Sequence, residues 1–420
     1  MLYNSVIYSR RSEPAISEKK LKILQVLPYF SPAWAYGGIP RVVYELSREL
    51  TRMGHDVTVY TTDVLDQNKR CDQSGKETKV DGITVRYFRN ISNSLAYHYQ
   101  LFLPLGMRRV VQETIDGFDV IHLHGHRNFL NNIVHYYAKK ANTRYIFSGH
   151  GTVLRIERRI FAKLIFDSIF GDRVLKDAGR FVAVSEYEVR QYAEMGVEQD
   201  KVDVIYNGID IEAFTDLPEA GAFRKKYGLM GNKLVLYLGR ITPRKGIDFL
   251  VKAFSMLDDP DASLVIAGND MGFKREVDAI AREKGVSTRI VFTGFLTGRD
   301  KLSAYRDADV LVHPAIHEIF GLVPFEAMMC GAPVIVTDDC GCGEIIGNAG
   351  IGYLVKYNDI EGLRDRLTEV LACTPDAHER SNRGREFIAN NLTWKSIGNK
   401  YAALYQEMAN ENWVFSQSSG

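Results

Sequence analysis

Predicted strands alternate along this chain with longer stretches in which apolar residues recur with helical spacing. Apolar runs of roughly four to eight residues indicate buried strands, whereas a period of about 3.6 residues indicates amphipathic helices. The first half carries predicted strands at 21–27, 54–60 and 119–125, and the second half at 234–238 and 263–267. Because strands that are apolar on both faces need helices on both faces, the pattern predicts an α/β fold with parallel sheets.

Both halves of the chain show this alternation, which indicates two domains. A chain of 420 residues is too long for one ordinary core and long enough for two domains of common size. The turn-rich segment 207–210 follows a predicted strand at 202–206, so we place the domain boundary there. The predicted domains span 20–206 and 207–390, after a polar segment at 1–19 that we expect to be flexible.

The stretch His-Glu-Ile-Phe-Gly-Leu-Val-Pro-Phe-Glu at 317–326 places a Gly/Pro turn where a helix is predicted to begin. Pro324 suits the first helical position, because its fixed φ fits the first turn and its missing N–H has no helical partner there. The backbone N–H groups of Gly321, Leu322 and Val323 would then point outward at the positive end of the helix dipole. Such a helix start is a binding site for phosphate oxygens.

Two carboxylates flank this predicted anion site. Glu318 lies in the loop that enters the helix, and Glu326 lies in the predicted first turn. Two fixed acceptors on either side of an anion site can hold the hydroxyl groups of a ribose and of a transferred sugar. The alternative is that Glu326 only favours the helix start and that Glu318 is a solvated loop residue.

A basic loop follows the strand predicted at 234–238. Arg240 offers a planar fork of donors and Lys245 offers a point charge, a pair that suits a diphosphate. Basic residues after a strand are common and usually mean little. These two lie in the same half of the chain as the predicted helix-start anion site, and this convergence favours the functional interpretation.

In the first half, a glycine and several histidines stand at predicted strand ends. Gly38 lies between a strand and a helix, where a glycine lets backbone approach a ligand, although such loops are common in α/β sheets. His124 emerges at the carboxyl end of a strand, where open α/β sheets place ligands. His122 is expected to pack within that strand. His150 follows a further strand, and a structural role and a contact to an acceptor both remain open for it.

The Glu-x7-Glu motif, followed by Ala-Met-Met-Cys-Gly-Ala-Pro-Val-Ile-Val-Thr at 327–337, resembles the large family of retaining glycosyltransferases known as glycosyltransferase family 4, group 1. The resemblance covers nearly the whole chain, from 21 to 408. It implies an α/β fold of the GT-B type, in which two doubly wound, Rossmann-like domains face each other across a cleft. It also implies that a C-terminal helix at 394–412 completes the first domain.

The family resemblance implies a role for each candidate residue. The donor would bind mainly to the second domain, and the acceptor to the first. The catalytic contacts implied are His124 and Glu318 to the transferred sugar and Arg240 and Lys245 to the leaving diphosphate. The remaining donor contacts implied are Gly38, Gly321, Leu322 and Val323 by their backbone, Phe295 at the base and Glu326 at the ribose.

The implied reaction moves a hexosyl group, with retention of configuration, from a UDP- or GDP-sugar to a hydroxyl group of a sugar or a lipid-linked acceptor. No metal or other cofactor is expected. Such a reaction belongs to the assembly of a glycan, a polysaccharide or a glycolipid. Two alternatives stay open: a nucleotide-sugar 2-epimerase of related fold, and a noncatalytic protein that binds sugar nucleotides.

Two patterns resemble metal sites, but structural roles fit both of them better. Asp307-Ala-Asp309 matches an Asp-x-Asp metal motif, but it precedes a predicted strand, where a capping role is favoured. Cys340-Gly-Cys342 lacks the Cys-x2-Cys spacing of most zinc sites. An odd count of five cysteines fits reduced thiols in a cytoplasm. The 53 basic and 52 acidic residues nearly cancel, so no general attraction to nucleic acid is expected.

No apolar run approaches the roughly 20 residues that cross a bilayer, so we expect a cytoplasmic protein. The stretch 155–170 is nevertheless predicted to form an amphipathic helix, with Arg155, Arg159 and Lys163 beside an apolar stripe. One interpretation is that the stripe packs on the first sheet and the basic residues are solvated. The other is that this helix rests on anionic lipid at the inner face of the membrane and meets a lipid-linked acceptor.

Overall fold

The computed structural model describes residues 19–155, 160–231, 233–372 and 375–410. Of the segment 1–19, which the sequence predicts to be flexible, only residue 19 lies within the described residues. Cys373 lies outside them as well.

The chain divides into two compact units. The sequence-based boundary assigned 183–199 to the first domain, whereas the structure groups this segment with the second. The N–H groups of Glu186 and Tyr187, at the start of its helix, donate to the carboxylate of Glu344, a contact that no local pattern reveals. Unit 1 comprises Met1–Val182, Asp200–Ile205 and Lys395–Gly420, and unit 2 comprises Ala183–Gln199 and Tyr206–Trp394.

The strands are short and mostly buried, as their apolar runs predict. In chain order they are β1 (Lys22–Val26), β2 (Asp56–Thr62), β3 (Glu77–Val80), β4 (Ile83–Phe88), β5 (Val120–His124), β6 (Tyr145–Ser148), β7 (Arg180–Ala183), β8 (Val202–Val204), β9 (Lys233–Leu238), β10 (Ala262–Ala267), β11 (Ile290–Gly294), β12 (Val310–His313), β13 (Val334–Thr337) and β14 (Tyr353–Val355).

The helices occupy most of the chain between the strands. In chain order they are α1 (Gly38–Arg52), α2 (Asn93–Tyr99), α3 (Met107–Thr114), α4 (Phe129–Ala141), α5 (Ile160–Phe166), α6 (Asp172–Lys176), α7 (Glu186–Glu194), α8 (Ala222–Tyr227), α9 (Ile247–Ser255), α10 (Lys274–Glu283), α11 (Gly298–Asp307), α12 (Leu322–Met329), α13 (Gly341–Ala349), α14 (Ile360–Leu371), α15 (Pro375–Asn391) and α16 (Trp394–Asn410). A π-helical turn, Asp167–Gly171, joins α5 to α6.

Several helices begin at a residue whose side chain accepts a hydrogen bond from a backbone N–H of the first turn. Asn128 does this for α4, Ser185 for α7 and Asp359 for α14. At α13 the acceptor is the sulfur of Cys340. Because the first four N–H groups of a helix have no partner within it, each of these side chains fixes where its helix starts.

The sheet of unit 1 has the strand order β3-β4-β2-β1-β5-β6-β7-β8. β3 pairs with β4 in an antiparallel hairpin, and the pairs from β4 through β7 are parallel. β1 lies between β2 and β5, so the order of the strands reverses there. The crevice outside the carboxyl ends of the strands at such a switch point is where open α/β sheets bind ligands.

The sheet of unit 2 has the order β11-β10-β9-β12-β13-β14, and all its pairs are parallel. This order is that of a Rossmann fold, with the switch point between β9 and β12. Successive residues of β9 alternate between two apolar cores, because neighbouring side chains of a strand point to opposite faces. Leu234 and Leu236 belong to one core, and Val235 and Tyr237 to the other.

The stretch predicted as one amphipathic helix is only partly described, because 156–159, and with them Arg159, lie outside the described residues. None of the residues of α5 is buried, so its apolar side chains do not pack on the sheet of unit 1. The interpretation of a stripe packed on the sheet is therefore wrong for this part. Arg155 is also not simply solvated, because it pairs with Asp167 and Asp172, with N–O distances of 2.8 Å each. Among the described residues, no helix is long and apolar enough to cross a membrane.

Candidate functional site

At the switch point of unit 2, the loops that follow β9 and β12 are bound to each other. Lys245 forms an ion pair with Glu318. The Ile316 N–H donates to the Arg244 carbonyl over 3.0 Å. Gly246 has a φ of 62°, and a side chain there would overlap the Pro314 carbonyl. These contacts bring two sequence-predicted site residues, Lys245 and Glu318, together at the carboxyl edge of the sheet.

Glu318 is an ionised carboxylate with one cation and one histidine beside it. Burial by itself would raise its pKa, but Lys245 and His313 outweigh that effect and hold the pKa well below its ordinary value. His313 ends β12, its side chain is buried, and its Nε2 lies 3.7 Å from Oε2 of Glu318. Burial lowers the pKa of His313, which keeps its ring neutral at pH 7. Both neighbours approach Oε2, and among the described residues no hydrogen bond to Oε1 is found.

The predicted anion-binding helix exists, but it begins earlier than the sequence predicts. α12 starts at Leu322, with Gly321 as the preceding residue at a φ of 75°. Pro324 is therefore the third helical residue and not the first, since the left-handed glycine already turns the chain into the helix. The N–H groups of Leu322 and Val323 lie in the first turn and have no partner within the helix. A Cβ at Gly321 would lie 2.9 Å from the sulfur of Cys342.

Because of this earlier start, Glu326 is the fifth residue of α12 and not part of the first turn. Its Oε2 accepts hydrogen bonds from Lys301, over 3.0 Å, and from the Tyr305 hydroxyl, over 2.8 Å. Both donors belong to α11, four positions apart and thus on one face. Burial, with a smaller effect of Glu326, raises the pKa of Tyr305 well above its usual value, so the hydroxyl stays a donor. In the described residues no hydrogen bond reaches Oε1 of Glu326.

Arg240 is exposed and stands two residues after β9. The Tyr237 hydroxyl donates to its backbone carbonyl over 2.8 Å, which fixes the turn. Within the described part of the chain, its guanidinium has no hydrogen bond or ion pair. Phe295 follows β11 directly, and 66% of its surface is exposed. The structure thus leaves Arg240 and Phe295 accessible at the same sheet edge, on the loops after β9 and β11, with β10 between these two strands.

The acidic residues that resembled a metal motif act as structural acceptors. The Asp307 carboxylate accepts hydrogen bonds from the backbone N–H groups of Gly221, Phe223 and Arg224, at the start of α8. Asp309 accepts from the Leu234 N–H over 2.6 Å and pairs with Arg224. These bonds support the capping role that the sequence predicts.

Two cysteines of unit 2 lie beside this site. Cys340 caps α13, and its sulfur lies 3.3 Å from that of Cys342. Both side chains are buried, and Cys342 packs beneath Gly321. On the sequence alone, a metal site was weighed for these cysteines and small buried thiols were favoured, and the structure confirms that both are free and buried. Their spacing, two residues apart at a helix start, is the signal that could have placed them under the anion loop.

Sequence reasoning also missed the partners of the two carboxylates. His313, Lys301 and Tyr305 were not among the candidates, although Lys301 and Tyr305 donate to Glu326 and His313 lies 3.7 Å from Glu318. For Lys301 and Tyr305, the signal was their spacing of four residues, which places two side chains on one face wherever the chain is helical. For His313, its position at the end of β12 was the signal.

In unit 1, His124 belongs to a buried chain of hydrogen bonds at that unit's switch point. Its Nε2 lies 2.6 Å from the Gln25 side-chain oxygen, and its Nδ1 lies 2.9 Å from Nε2 of His150. His122 lies next to it, bound to the hydroxyls of Ser148 and Tyr405. Burial lowers the pKa of His124 well below its usual value and that of His150 to about 4. Both ring nitrogens of His124 are therefore occupied by protein partners.

Gly38, the remaining predicted contact, is the first residue of α1 and follows the loop after β1. His124 ends β5, the strand next to β1. The two residues therefore stand on the loops that flank the switch point of unit 1, where ligands bind in open α/β sheets.

Comparison with known proteins identifies the class. Two family models match the chain: "Glycosyl transferases group 1" over residues 220–387 and "Glycosyltransferase Family 4" over residues 36–213. An uncharacterized glycosyltransferase of Methanocaldococcus jannaschii is 27% identical, covering 89% of this chain and 96% of that protein. A D-inositol 3-phosphate glycosyltransferase of Mycolicibacterium smegmatis is 26% identical, covering 82% of this chain and 81% of that protein.

Solved structures show the same fold. Anabaena HepE in complex with UDP superposes with a TM-score of 0.73 at 20% identity, covering 92% of this chain and 100% of that one. Sucrose-phosphate synthase from Thermosynechococcus elongatus gives a TM-score of 0.70 at 22% identity, covering 93% and 99%. The fold of two parallel-sheet, Rossmann-like domains is that of the GT-B glycosyltransferases. The two family models match most of the chain between them, and the protein belongs to the group 1/family 4 glycosyltransferases.

Proposed function

We propose that this glycosyltransferase moves a hexosyl group from a UDP- or GDP-sugar to a hydroxyl acceptor, with retention of configuration and without a metal. The observation that carries the proposal is the ion pair of Lys245 and Glu318 at the switch point of unit 2, beside the start of α12. The proposed anion site and a carboxylate acceptor would thereby lie within one pair of loops. HepE, whose structures contain UDP or UDP-glucose, supports a UDP-sugar as the donor.

The cations and the helix start would hold the leaving diphosphate. The ammonium of Lys245 has three donors, and Glu318 uses one of them, so two remain for phosphate oxygens. The guanidinium of Arg240 and the N–H groups of Leu322 and Val323 supply further donors. As the sugar departs, negative charge develops on the diphosphate. These groups would stabilise that transition state more strongly than they stabilise the bound donor, and this difference raises the turnover rate.

The two carboxylates would hold the uncharged parts of the donor. Glu318 and Glu326 each accept protein hydrogen bonds at Oε2, and each would accept a ligand hydroxyl at Oε1. We assign the sugar hydroxyls to Glu318, because it lies at the diphosphate cations, and the ribose to Glu326. The backbone near Phe295, after the end of β11, would face the base. His124 and Gly38 remain proposed contacts from the switch point of unit 1.

In the proposed reaction, the acceptor oxygen attacks the anomeric carbon on the face from which the phosphate departs. The bond from that carbon to the phosphate oxygen breaks, and the acceptor's proton passes to the departing phosphate. No protein base is needed for this step. The product should be a glycoside with the anomeric configuration of the donor, in the assembly of a glycan, a polysaccharide or a glycolipid.

The first experiment identifies the donor. Thermal unfolding is recorded with UDP, GDP and their hexose derivatives, because a ligand at about 100 times its dissociation constant adds about 2.7 kcal/mol to native stability. The stabilising donor is then incubated with and without a panel of monosaccharides, sugar phosphates and prenyl-linked sugars. We expect diphosphate release that depends on an acceptor, and a glycoside of retained configuration by NMR. Conversion of the donor alone would support the epimerase, and binding without any turnover would support the noncatalytic protein.

A second experiment tests the assignment of the carboxylates. Glu326→Ala should weaken the binding of free nucleoside diphosphate and of the sugar donor, whereas Glu318→Ala should chiefly reduce transfer. Each lost hydrogen bond to a charged group corresponds to about 1.5 to 3 kcal/mol. Equal losses of diphosphate affinity in the two variants would contradict the assignment.

A third experiment tests metal independence. Activity should survive dialysis against EDTA, because Arg240, Lys245 and the helix start supply the positive charge. Loss of activity in EDTA with recovery in magnesium or manganese would contradict this part of the proposal.

A further inference from the structure

The segment from α5 through the π-helical turn exposes an unusual set of apolar side chains. Phe161 is 82% exposed and Ile165 is 62% exposed. We call this set the α5 patch. It consists of Ile160, Phe161, Leu164, Ile165, Ile169 and Phe170, each of which is exposed. Single exposed apolar residues are ordinary, but six on one short helical segment mark an interaction site.

The segment is held on unit 1 by Phe166, by the covered part of Phe170 and by Asp167. Phe129 of α4 packs its ring against Phe166 and Phe170, with centroids 5.5 and 5.8 Å apart. The buried Asp167 carboxylate accepts from both Arg127 and Arg155 at 2.8 to 2.9 Å. The segment is therefore fixed by aromatic packing and by charge while its apolar face stays in solvent.

The surroundings of the patch are basic. α5 contains no acidic residue. Asp167 and Asp172, which follow it, are both paired with arginines. Five basic residues, Arg127, Arg155, Lys163, Arg173 and Lys176, stand against three acidic ones, Asp167, Asp172 and Asp177, an excess of two positive charges.

We propose that the α5 patch docks on an anionic lipid surface, with its apolar side chains in the headgroup region and its basic neighbours against the lipid phosphates. An amphipathic segment of this kind enters the interface by about 5–10 Å and needs no complementary shape on the other side. Each nearby basic residue adds attraction to an anionic leaflet.

The size of the patch favours lipid over a second copy of the chain. A stable protein interface buries about 800 Å² on each partner and uses about 20–30 residues on each side. Six apolar side chains on one helical segment, beside a net positive charge, are too few for such an interface. This inference does not depend on the donor or on the reaction proposed above.

The test is flotation of the full-length protein with vesicles of phosphatidylcholine alone or mixed with phosphatidylglycerol, at low and high salt. We expect binding to the mixed vesicles that weakens with salt. The double substitution Phe161→Ser and Ile165→Ser should weaken this binding by about tenfold or more. Both residues are mostly exposed, so the native fold has little packing there to lose.

The matched control replaces two exposed apolar residues of unit 2, Met230→Ser and Met271→Ser, which are 65% and 57% exposed. This control should bind vesicles like the wild type, and both double variants should keep the thermal shift with nucleoside diphosphate. The proposal is overturned if the wild type does not bind the mixed vesicles, binds both vesicle types equally, or binds as well after the Phe161/Ile165 change. A wild-type dimer in solution that this change dissociates, without vesicle binding, would instead assign the patch to a second copy.

Discussion

The two units place different chemistry at the same topological position. At the switch point of unit 1, between β1 and β5, polar side chains form a closed and uncharged chain of hydrogen bonds. At the switch point of unit 2, between β9 and β12, they form an ion pair beside a helix start. A sheet edge of the same design can thus present either a neutral or a charged surface, depending on the residues that end its strands.

The neutral character of the unit 1 edge follows from the chain itself. The side-chain oxygen of Gln25 can only accept, so His124 donates from Nε2 and accepts at Nδ1 from His150. The amide of Gln25 donates to the Tyr405 hydroxyl, which donates in turn to His122. One proton on each imidazole ring satisfies every hydrogen bond of the chain, and burial disfavours a second proton on any ring. Such an edge cannot neutralise a diphosphate, whereas the edge of unit 2 can.

The largest expected effect comes from removing the cation of unit 2. Lys245→Ala should lower turnover by about a hundredfold or more, because one preorganised donor at a developing negative charge is worth about 10² to 10³ in rate. Nucleoside diphosphate should also bind more weakly, as measured by calorimetric titration. Lys252→Ala is the matched control, since Lys252 pairs with Asp248 along α9 and should leave turnover unchanged.

The alanine variant also leaves Glu318 without its partner, so the double variant Lys245→Ala/Glu318→Gln separates the two causes. If the double variant recovers diphosphate affinity, the loss in the single variant came from the unpaired carboxylate and not from a missing phosphate contact. That result would contradict the role of Lys245.

Much of the fold was predictable from local patterns. β1, β5, β9 and β10 lie within two residues of the predicted strands, because buried parallel strands read as continuous apolar runs. The GT-B class followed from a resemblance spread over most of the chain, and the comparisons confirm it. The pairing of the loops after β9 and β12 is implied once the strand order is known, since their carboxyl ends meet at one edge.

The details of the site were not predictable in the same way. The start of α12 was placed two residues late, because Pro324 gives a strong local signal while the left-handed Gly321 depends on the whole loop. The anchoring of Glu326 by α11 joins residues more than twenty positions apart. The assignment of 183–199 to unit 2 depends on contacts such as that of Ser185 Oγ with the Ile319 carbonyl, at 2.8 Å. Patterns within one element cannot reveal such contacts.

The second prediction concerns pH and unit 1. The pKa of His150 falls from 6.5 to about 4 on burial, so between these values the unfolded chain binds more protons than the folded one. Stability is therefore present above pH 6.5 and is lost as the pH falls toward 4, by about 2 to 3 kcal/mol for this residue. His150→Asn should remove that part of the loss, and asparagine tolerates the φ of 50°.

Hydrogen exchange read by mass spectrometry measures this in each unit separately. Peptides from β5 and β6 should keep more protection at pH 4.5 in the variant than in the wild type, after correction for intrinsic rates. Peptides from β9 and β12 should not differ between the two proteins. If the variant loses as much protection at low pH as the wild type does, His150 is not held neutral by burial.

The third prediction tests the helix start with two glycines of unit 2. Gly321 and Gly331 flank α12 and have φ values of 75° and 94°. Alanine at either position carries the strain of a left-handed conformation, of order 1 kcal/mol. Only at Gly321 does the added Cβ meet a neighbour, the sulfur of Cys342, while Gly331 faces open space.

Gly321→Ala should therefore weaken nucleoside diphosphate binding by about fivefold to tenfold, because the loop must shift away from Cys342. Gly331→Ala should destabilise the protein without a change in affinity. Titration with UDP and GDP, beside thermal unfolding, separates the two effects. If the two variants bind nucleoside diphosphate with equal affinity, the N–H groups of α12 do not belong to the anion site. The contrast between the two sheet edges would then be weaker.

The smallest expected effect distinguishes two buried tyrosines. Tyr305 donates to Glu326 in unit 2, and Tyr405 joins Gln25 to His122 in unit 1. Tyr305→Phe removes one of two anchors of the carboxylate, so affinity for nucleoside diphosphate should fall by about twofold to tenfold, the equivalent of about 0.5 to 1.5 kcal/mol. Tyr405→Phe should lower the stability of unit 1 by about 1 kcal/mol and leave that affinity unchanged, because the neutral chain holds no phosphate. Calorimetric titration of both variants decides the matter. A loss of affinity in Tyr405→Phe as large as that in Tyr305→Phe would show that the neutral edge also takes part in binding the nucleotide.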